Sequence, residues 1–415
     1  MESDALALDL HLPPCVSDHD PSGGRGTGGD EDWRVAVRFS KNDCIVTPMQ
    51  EHWSVLDGDA RSLTSRLRRA AGVAVLAMAV MTGCADRRDV PGADESVALV
   101  PMDTLVSTAS ELVGGIYDLT VSPDGDVYVA DYSYKHVLVV GSDGAVRRRI
   151  GRQGRGPGEF DMPFAVFAGT DSVRVLDAAR NEVQVFDGAG VLARGYRLDV
   201  PGVGGGRVFR DDGSLAATID GFEQAMVMVL DASGRRVGRF GEPIVPPVTS
   251  YDFTALKSAI QDGRVPDAFR NRATLAWSAD HSLYLVFLAE PQVRRYDPAG
   301  SLIWTRTFDE PALHAAREEF VRKNAQEQNS ARIHPLQYVT DAEVVAGDLW
   351  LLLNTADADD GLLLILNAHD GAVRRRVTFP GLANTGYFAV DLSRGRMYMA
   401  PRGEASILIF ELPRS

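Results

Sequence analysis

One phrase recurs along this chain. Residues 115–160 read GIYDLTVSPDGDVYVADYSYKHVLVVGSDGAVRRRIGRQGRGPGEF, and residues 164–200 repeat its logic as FAVFAGTDSVRVLDAARNEVQVFDGAGVLARGYRLDV. Each copy holds four short apolar segments separated by turns rich in Asp and Gly. A spacing of about 40–50 residues is the period of small sheets arranged around an axis.

The turn between third and fourth segments measures the rest of the chain. It appears as GSDG (141–144), DGAG (187–190), DASG (231–234), DPAG (297–300) and AHDG (368–371). The closing Gly supplies the positive φ that tight or bulged hairpin loops need. Strand-like VLVV, VQVF, VMVL, VRRY and LLIL precede these turns, which makes five full blades of a β-propeller. A sixth has three strands, at 385–392, 396–400 and 406–412, and then the chain stops. Its missing strand is expected in residues 96–107, SVALVPMDTLVS, with 97–105 pairing onto 407–410 to close the ring and cover the open sheet edges. The expected fold is all-β: a six-bladed β-propeller, its ring closed by an N-terminal strand completing the last blade, with one helical insertion.

Two blade junctions are long, residues 242–269 and 309–337. The second carries a helical pattern from Pro311 to about residue 331, with Leu313, Ala316, Phe320 and Val321 on one stripe and Pro311 suited to the first turn. Both run from the outer strand of one blade to the inner strand of the next. They open on the face that also carries the second-to-third strand turns. Elaborated loops on one rim of a rigid scaffold are where binding resides.

The N-terminal segment points to export. Arg61, Arg66, Arg68 and Arg69 lead into AAGVAVLAMAVM (70–81), an apolar run of about twelve residues, too short to span a bilayer of roughly 30 Å. The surroundings of Arg68 and Arg69 are not those of a twin-arginine signal, so the general secretory route is expected. The run ends in MTGC (81–84), which resembles the lipobox of bacterial lipoproteins, with Met where Leu is usual. The resemblance implies that Cys84 is acylated and becomes the mature N-terminus, and Ala85 after it resembles lipoproteins passed to an outer membrane. The chain has 3 cysteines, and Cys15 and Cys44 precede the signal. The mature part of roughly 330 residues buries enough apolar surface to need no disulfides. Residues 1–60 read as a disordered prefix ahead of a signal peptide at 61–84, with translation expected to start further downstream, and 85–415 as the propeller.

VYVAD (127–131), NEVQVFDGAG (181–190) and GRQGRGPGEF (151–160) resemble the NHL-type repeat, and the match weakens after the third blade. As architecture, residues 97–412 are similar to the lipid-anchored six-bladed propeller proteins of bacterial envelopes. That resemblance implies a fold and a location in the cell envelope more than a chemistry.

The net charge of −14 leaves no basic stripe for nucleic acid. Arginines 147–149 and 374–376 sit in strand patterns and read as solvated outer faces. Asp131, Asp177 and Asp220, each after a second strand, read as caps on their own turns, and NTADADDG (354–361) lacks the spacing of a calcium loop. The inner strands, read as YDLTV, FAVFA, GRVFR, ATLAW, AEVVA and YFAVD, offer no His and no converging set of Asn, Asp or Glu. His136, His314 and His334 fall in loops or the helical insertion, and no catalytic, metal or cofactor motif occurs. The sequence therefore reads as a binding module with no cofactor, no metal and no catalytic residue. Expected partners are the membrane, through the lipid, and an envelope protein, peptide or carbohydrate. The alternative is a propeller hydrolase or lyase, lactonase-like or amidating-lyase-like, with a channel metal. Candidate ligand-binding residues on the elaborated rim are Tyr132, Tyr134, Arg152, Arg155, Tyr251, Arg270 and His334.

Overall fold

The structure is a computed structural model that describes residues 37–40, 43–46, 96–199, 206–248, 252–327, 332–356, 360–383 and 385–413. Cys84, Tyr251 and the signal segment lie outside the described residues. Within the prefix, strands Val37–Ser40 and Asp43–Val46 pair antiparallel.

From Ser96 onward the chain builds six sheets, antiparallel except for one added strand, the blades of a six-bladed β-propeller. The innermost strands, in order, are Ile116–Val121, Pro163–Ala168, Arg207–Phe209, Ala273–Trp277, Val339–Val345 and Thr385–Asp391. That of blade five begins three residues before the expected AEVVA and so takes in Asp341.

The middle strands are sandwiched between neighbouring blades, so most of their positions are buried. Val127–Asp131 and His136–Val140 are buried at every position. The apolar side chains gather into clusters lying between blades, one at each junction. The cluster between blades four and five is extended by the insertions, through Ile260, Phe269, Leu313, Ala316 and Phe320. Each such buried side chain contributes about 1.5–3 kcal/mol.

Outer strands are the exposed edges of these sheets. Val146–Ile150 (VRRRI) and Arg236–Phe240 (RVGRF) are mostly exposed and charged, which discourages edge-to-edge pairing. Some of their arginines are ion-paired locally: Arg147 with Asp126 and Asp143, Arg236 with Asp199 and Glu223.

The closure differs in detail from the expected single strand over 97–105. Asp103–Val106 does pair antiparallel with Ile407–Glu411, completing blade six. Ser96–Ala98, however, pairs in parallel with Val373–Phe379 and adds a fifth strand to blade five. Pro101, which has no N–H to give a ladder, sits in the crossing between them. Leu99 N–H still bonds to Thr378 O of blade five, and Met102 N–H to Ile409 O of blade six. One segment thus stitches two blades.

Both insertions are helical. Residues 242–269, expected only to be long, contain α1 (Phe253–Gln261) and the start of α2 (Asp267–Arg270), with Asp252 accepting from Thr254 and Ala255 N–H as the cap of α1. α3 (Pro311–Gln326) begins at the expected proline and ends before residue 331. α1 packs on α3, so the two insertions form one helical cap.

Candidate functional site

In a propeller, outer-to-inner connections and second-to-third strand turns share a face. The helical cap, the 151–160 loop and the residues that open each inner strand therefore all lie on one rim.

At blades one and two this rim is built to be shut. The carboxylate of Asp131, at the end of its strand, accepts N–H bonds from Gly114, Gly115, Ser133 and Tyr134 at 2.7–3.2 Å. Asp177 does the same for Asp161, Met162 and Arg180. These two cap as expected, and they also fasten the incoming chain. Tyr132 is half-buried, with its ring 4.2 Å from Tyr117, which lies 5.2 Å from Phe164. Tyr134 is 46% exposed and stacks on His136. His136 itself opens the third strand and is buried, not a loop residue.

The other sequence candidates are occupied locally. Arg152 bonds to Glu159 at 2.9 Å and Arg155 to Asp161 at 3.4 Å, holding the 151–160 loop together. Arg270 pairs with Glu290 and Asp267. His334 meets Glu327 through Nε2 at 3.1 Å, and Asn324 accepts its backbone N–H, which ties the return of the chain to the end of α3. Tyr132, Tyr134, Arg152 and Arg155 gather at blades one and two, whereas Arg270 and His334 belong to the helical cap.

Asp220 is the exception among the aspartates. By strand register the position matching Asp131 in blade three is Ala217, since Arg207 faces Ala217 as Ile116 faces Asp131. Asp220 stands three residues later, in the turn, with φ 49°. It caps nothing, and its buried Oδ1 has no hydrogen-bond partner. Burial pushes its carboxyl up to about 6, against the pull of Arg272 and Arg207. Burial in turn lowers Arg207 to about 10.

Contrary to the expectation of no converging acids, the inner strands bring three carboxylates to the central channel. Asp118 reaches from blade one to accept Val166 N–H of blade two at 2.8 Å. Asp341 makes the matching bond from blade five to Phe388 N–H of blade six at 3.0 Å. The inner strands have an unpaired edge toward the axis, and these carboxylates satisfy donors on it. Glu343 stands two residues beyond Asp341, and its Oε2 is buried without a partner. Burial, then the charges of Asp341 and Asp118, push Glu343 up to about 8; burial likewise raises Asp341 to about 6 and lifts Asp118. The shift favours the protonated form of Glu343, in which it can donate a hydrogen bond. Sequence reading missed this set because Asp118 lies on a different inner strand from Asp341 and Glu343, and only the ring brings it to them. Among the described residues no group of three or more His, Cys, Asp and Glu could hold a metal ion, and no helix is long and apolar enough to cross a membrane.

Residues 96–201, the closing strands with blades one and two, match the family described as 6-bladed beta-propeller. No curated protein matches the chain. Among solved structures, virginiamycin B lyase from Staphylococcus aureus is similar at 11% identity and TM-score 0.41, over 76% of this chain and 89% of that one. A Bacteroides fragilis protein described as exported gives 12% and 0.49, over 77% and 100%. BamB from Moraxella catarrhalis gives 15% and 0.40, over 72% and 86%. At such identities the likeness is one of fold alone.

Proposed function

We propose that this chain is an exported β-propeller, lipid-anchored through Cys84 in the cell envelope, that binds a ligand or protein at the rim bearing its insertions. The observation that supports this most directly is the gathering, on one face, of the helical cap, the Tyr117–Tyr132–Phe164 aromatic group and the buried charges at the start of blades three and four. Below them the channel offers Asp118, Asp341 and Glu343. The opposite face offers short turns such as 169–171.

The test is a thermal-shift screen of glycans, peptides and small metabolites, with hits repeated on Tyr134→Ala, Glu343→Gln and, on the opposite face, Asp171→Asn. A hit weakened by a rim or channel change and untouched by Asp171→Asn supports the reading. Hits lost only in Asp171→Asn refute it. For the anchor, Cys84→Ser should release the protein from membranes or block its maturation; an uncleaved chain that stays on membranes refutes acylation.

A hydrolase or lyase remains the second reading, favoured by one observation. Glu343 and Asp341 stand two residues apart on one inner strand, and burial raises both carboxyls, which suits proton transfer. Turnover of a hit that falls by at least about a hundredfold in Glu343→Gln would establish it.

A further inference from the structure

Blades three and four touch backbone to backbone at the rim. Gly206 N–H bonds to Ala273 O across the junction at 2.9 Å, which sets Arg207 and Arg272 side by side at the tops of adjacent inner strands. A Cβ on Gly206 would stand 2.5 Å from Thr274 Cα, so only glycine allows this approach. The turn carrying Asp220 leans on the same place, since a Cβ on Gly221 would meet Asn271 Nδ2 at 2.9 Å. Asn271 is itself fixed by Ile244 and Val245 N–H and by Val245 O. Backbone contacts alone therefore bring Asp220, Arg272 and Arg207 together.

The side chains do not complete the arrangement. Arg272 Nη1 and Asp220 Oδ1 are both buried, both without a partner, and not bonded to each other although the charge of Arg272 acts on Asp220. A buried donor or acceptor left unmade is costly, and a native site normally fills it. The group that fits is ditopic: an acceptor for Arg272 and a donor for Asp220. Two guanidiniums and one carboxylate favour a singly charged anion over a phosphate dianion, which Asp220 would repel.

We propose that this corner is a site for a small molecule bearing a carboxylate, held by Arg272 and Arg207, and a nearby ammonium group held by Asp220. The proposal rests on the binding-face reading and names a ligand class for it.

Titration calorimetry of the intact chain with glycine, β-alanine and γ-aminobutyrate, against acetate and methylammonium, tests it. One of the amino acids should bind at least about tenfold tighter than either single-group probe, the gain expected of a second charge-assisted bond. Asp220→Asn, which keeps the side-chain shape, should reduce that ligand to the level of acetate; Arg272→Gln should reduce it to that of methylammonium. Circular dichroism of each variant checks its fold, and Asp171→Asn should bind as the parent does. If no amino acid exceeds acetate, or if both rim variants bind like the parent, the charges are bridged by water only and the proposal falls. If the rim screen finds a ligand while this series fails, the binding-face reading stands and this ligand class alone is wrong.

Discussion

Blades one and three carry the same-looking signal, an aspartate just past the second strand, and put it to opposite uses. Asp131 ends its strand in register with Ile116 and collects four backbone N–H groups. In blade three the residue in that register is Ala217. Gly206, which matches Gly115, has no carboxylate to donate to and gives its N–H to Ala273 of the next blade. Asp220, displaced by three residues, is left facing two arginines. A carboxylate full of backbone donors is a structural rivet. The same residue type without them, buried beside Arg272 whose Nη1 also has no partner, forms the corner proposed above as a binding site. The difference lies in register, not in residue type.

The largest effect should come from breaking a rivet. Asp131→Ala leaves several buried N–H groups without an acceptor, at about 1–3 kcal/mol each before relaxation, so a loss of about 3–5 kcal/mol is expected in urea unfolding. A loss under about 1 kcal/mol would mean that water replaces the carboxylate readily, and the contrast with Asp220 would collapse.

The channel acids give the next effect, of opposite sign. Glu343 binds its proton up to about pH 8 in the fold, against roughly 4.3 for a free glutamate. Between these values the folded chain holds a proton that the unfolded chain has released, so stability falls as pH rises through this window. Glu343→Gln should remove most of that slope and stabilise the protein by about 2–3 kcal/mol at pH 8, with little change near pH 4. A variant whose stability declines with pH as steeply as the parent's would place the titration on Asp118 and Asp341 instead, since the three titrate as a coupled group.

Close approach at the third junction should matter somewhat less. Gly206→Ala forces a methyl against Thr274 backbone, and overpacking of that kind costs about 1–3 kcal/mol. Thermal unfolding unchanged by the substitution would show that blades three and four separate without penalty, which would dissolve the corner holding Arg207 and Arg272.

Much of this architecture was legible in the sequence, and little of the site was. The 141–144 turn and its four relatives mark local hairpins, which depend on neighbours a few residues apart, so blade count and order could be read directly. The closing strand was legible as an unpartnered apolar segment, but its division at Pro101 between two blades was not, because a three-residue strand, Ser96–Ala98, is too short to show which sheet it joins. The capping role of Asp131 and Asp177 follows from local chemistry. Asp118 meets Asp341 and Glu343 only because the ring closes, and Asp220 was misread because a three-residue shift is invisible without strand pairing. Arg272 directly precedes its inner strand and carried no signal, though its neighbour Arg270 was singled out.

The smallest effect is also the sharpest test of the comparison. Burial holds the Asp220 carboxyl at about 6, above its ordinary value near 3.8, because its own burial outweighs Arg272 and Arg207. Stability contributed through this group is therefore complete at low pH, falls as pH rises from about 4 to 6, and stays reduced above that. Asn cannot ionise, keeps the shape and loses no hydrogen bond at Oδ1, because none exists there. Asp220→Asn should accordingly match the parent near pH 4 and exceed it by about 1 kcal/mol at pH 8, the partial exposure of the rim and the loss of attraction to the arginines keeping the gain small. Asp131→Asn should do the reverse of this at every pH, because one amide oxygen cannot replace two carboxylate oxygens that together take four donors. If both substitutions destabilise by similar amounts, Asp220 is a rivet after all, bonded in solution as Asp131 is, and the corner between blades three and four is structural.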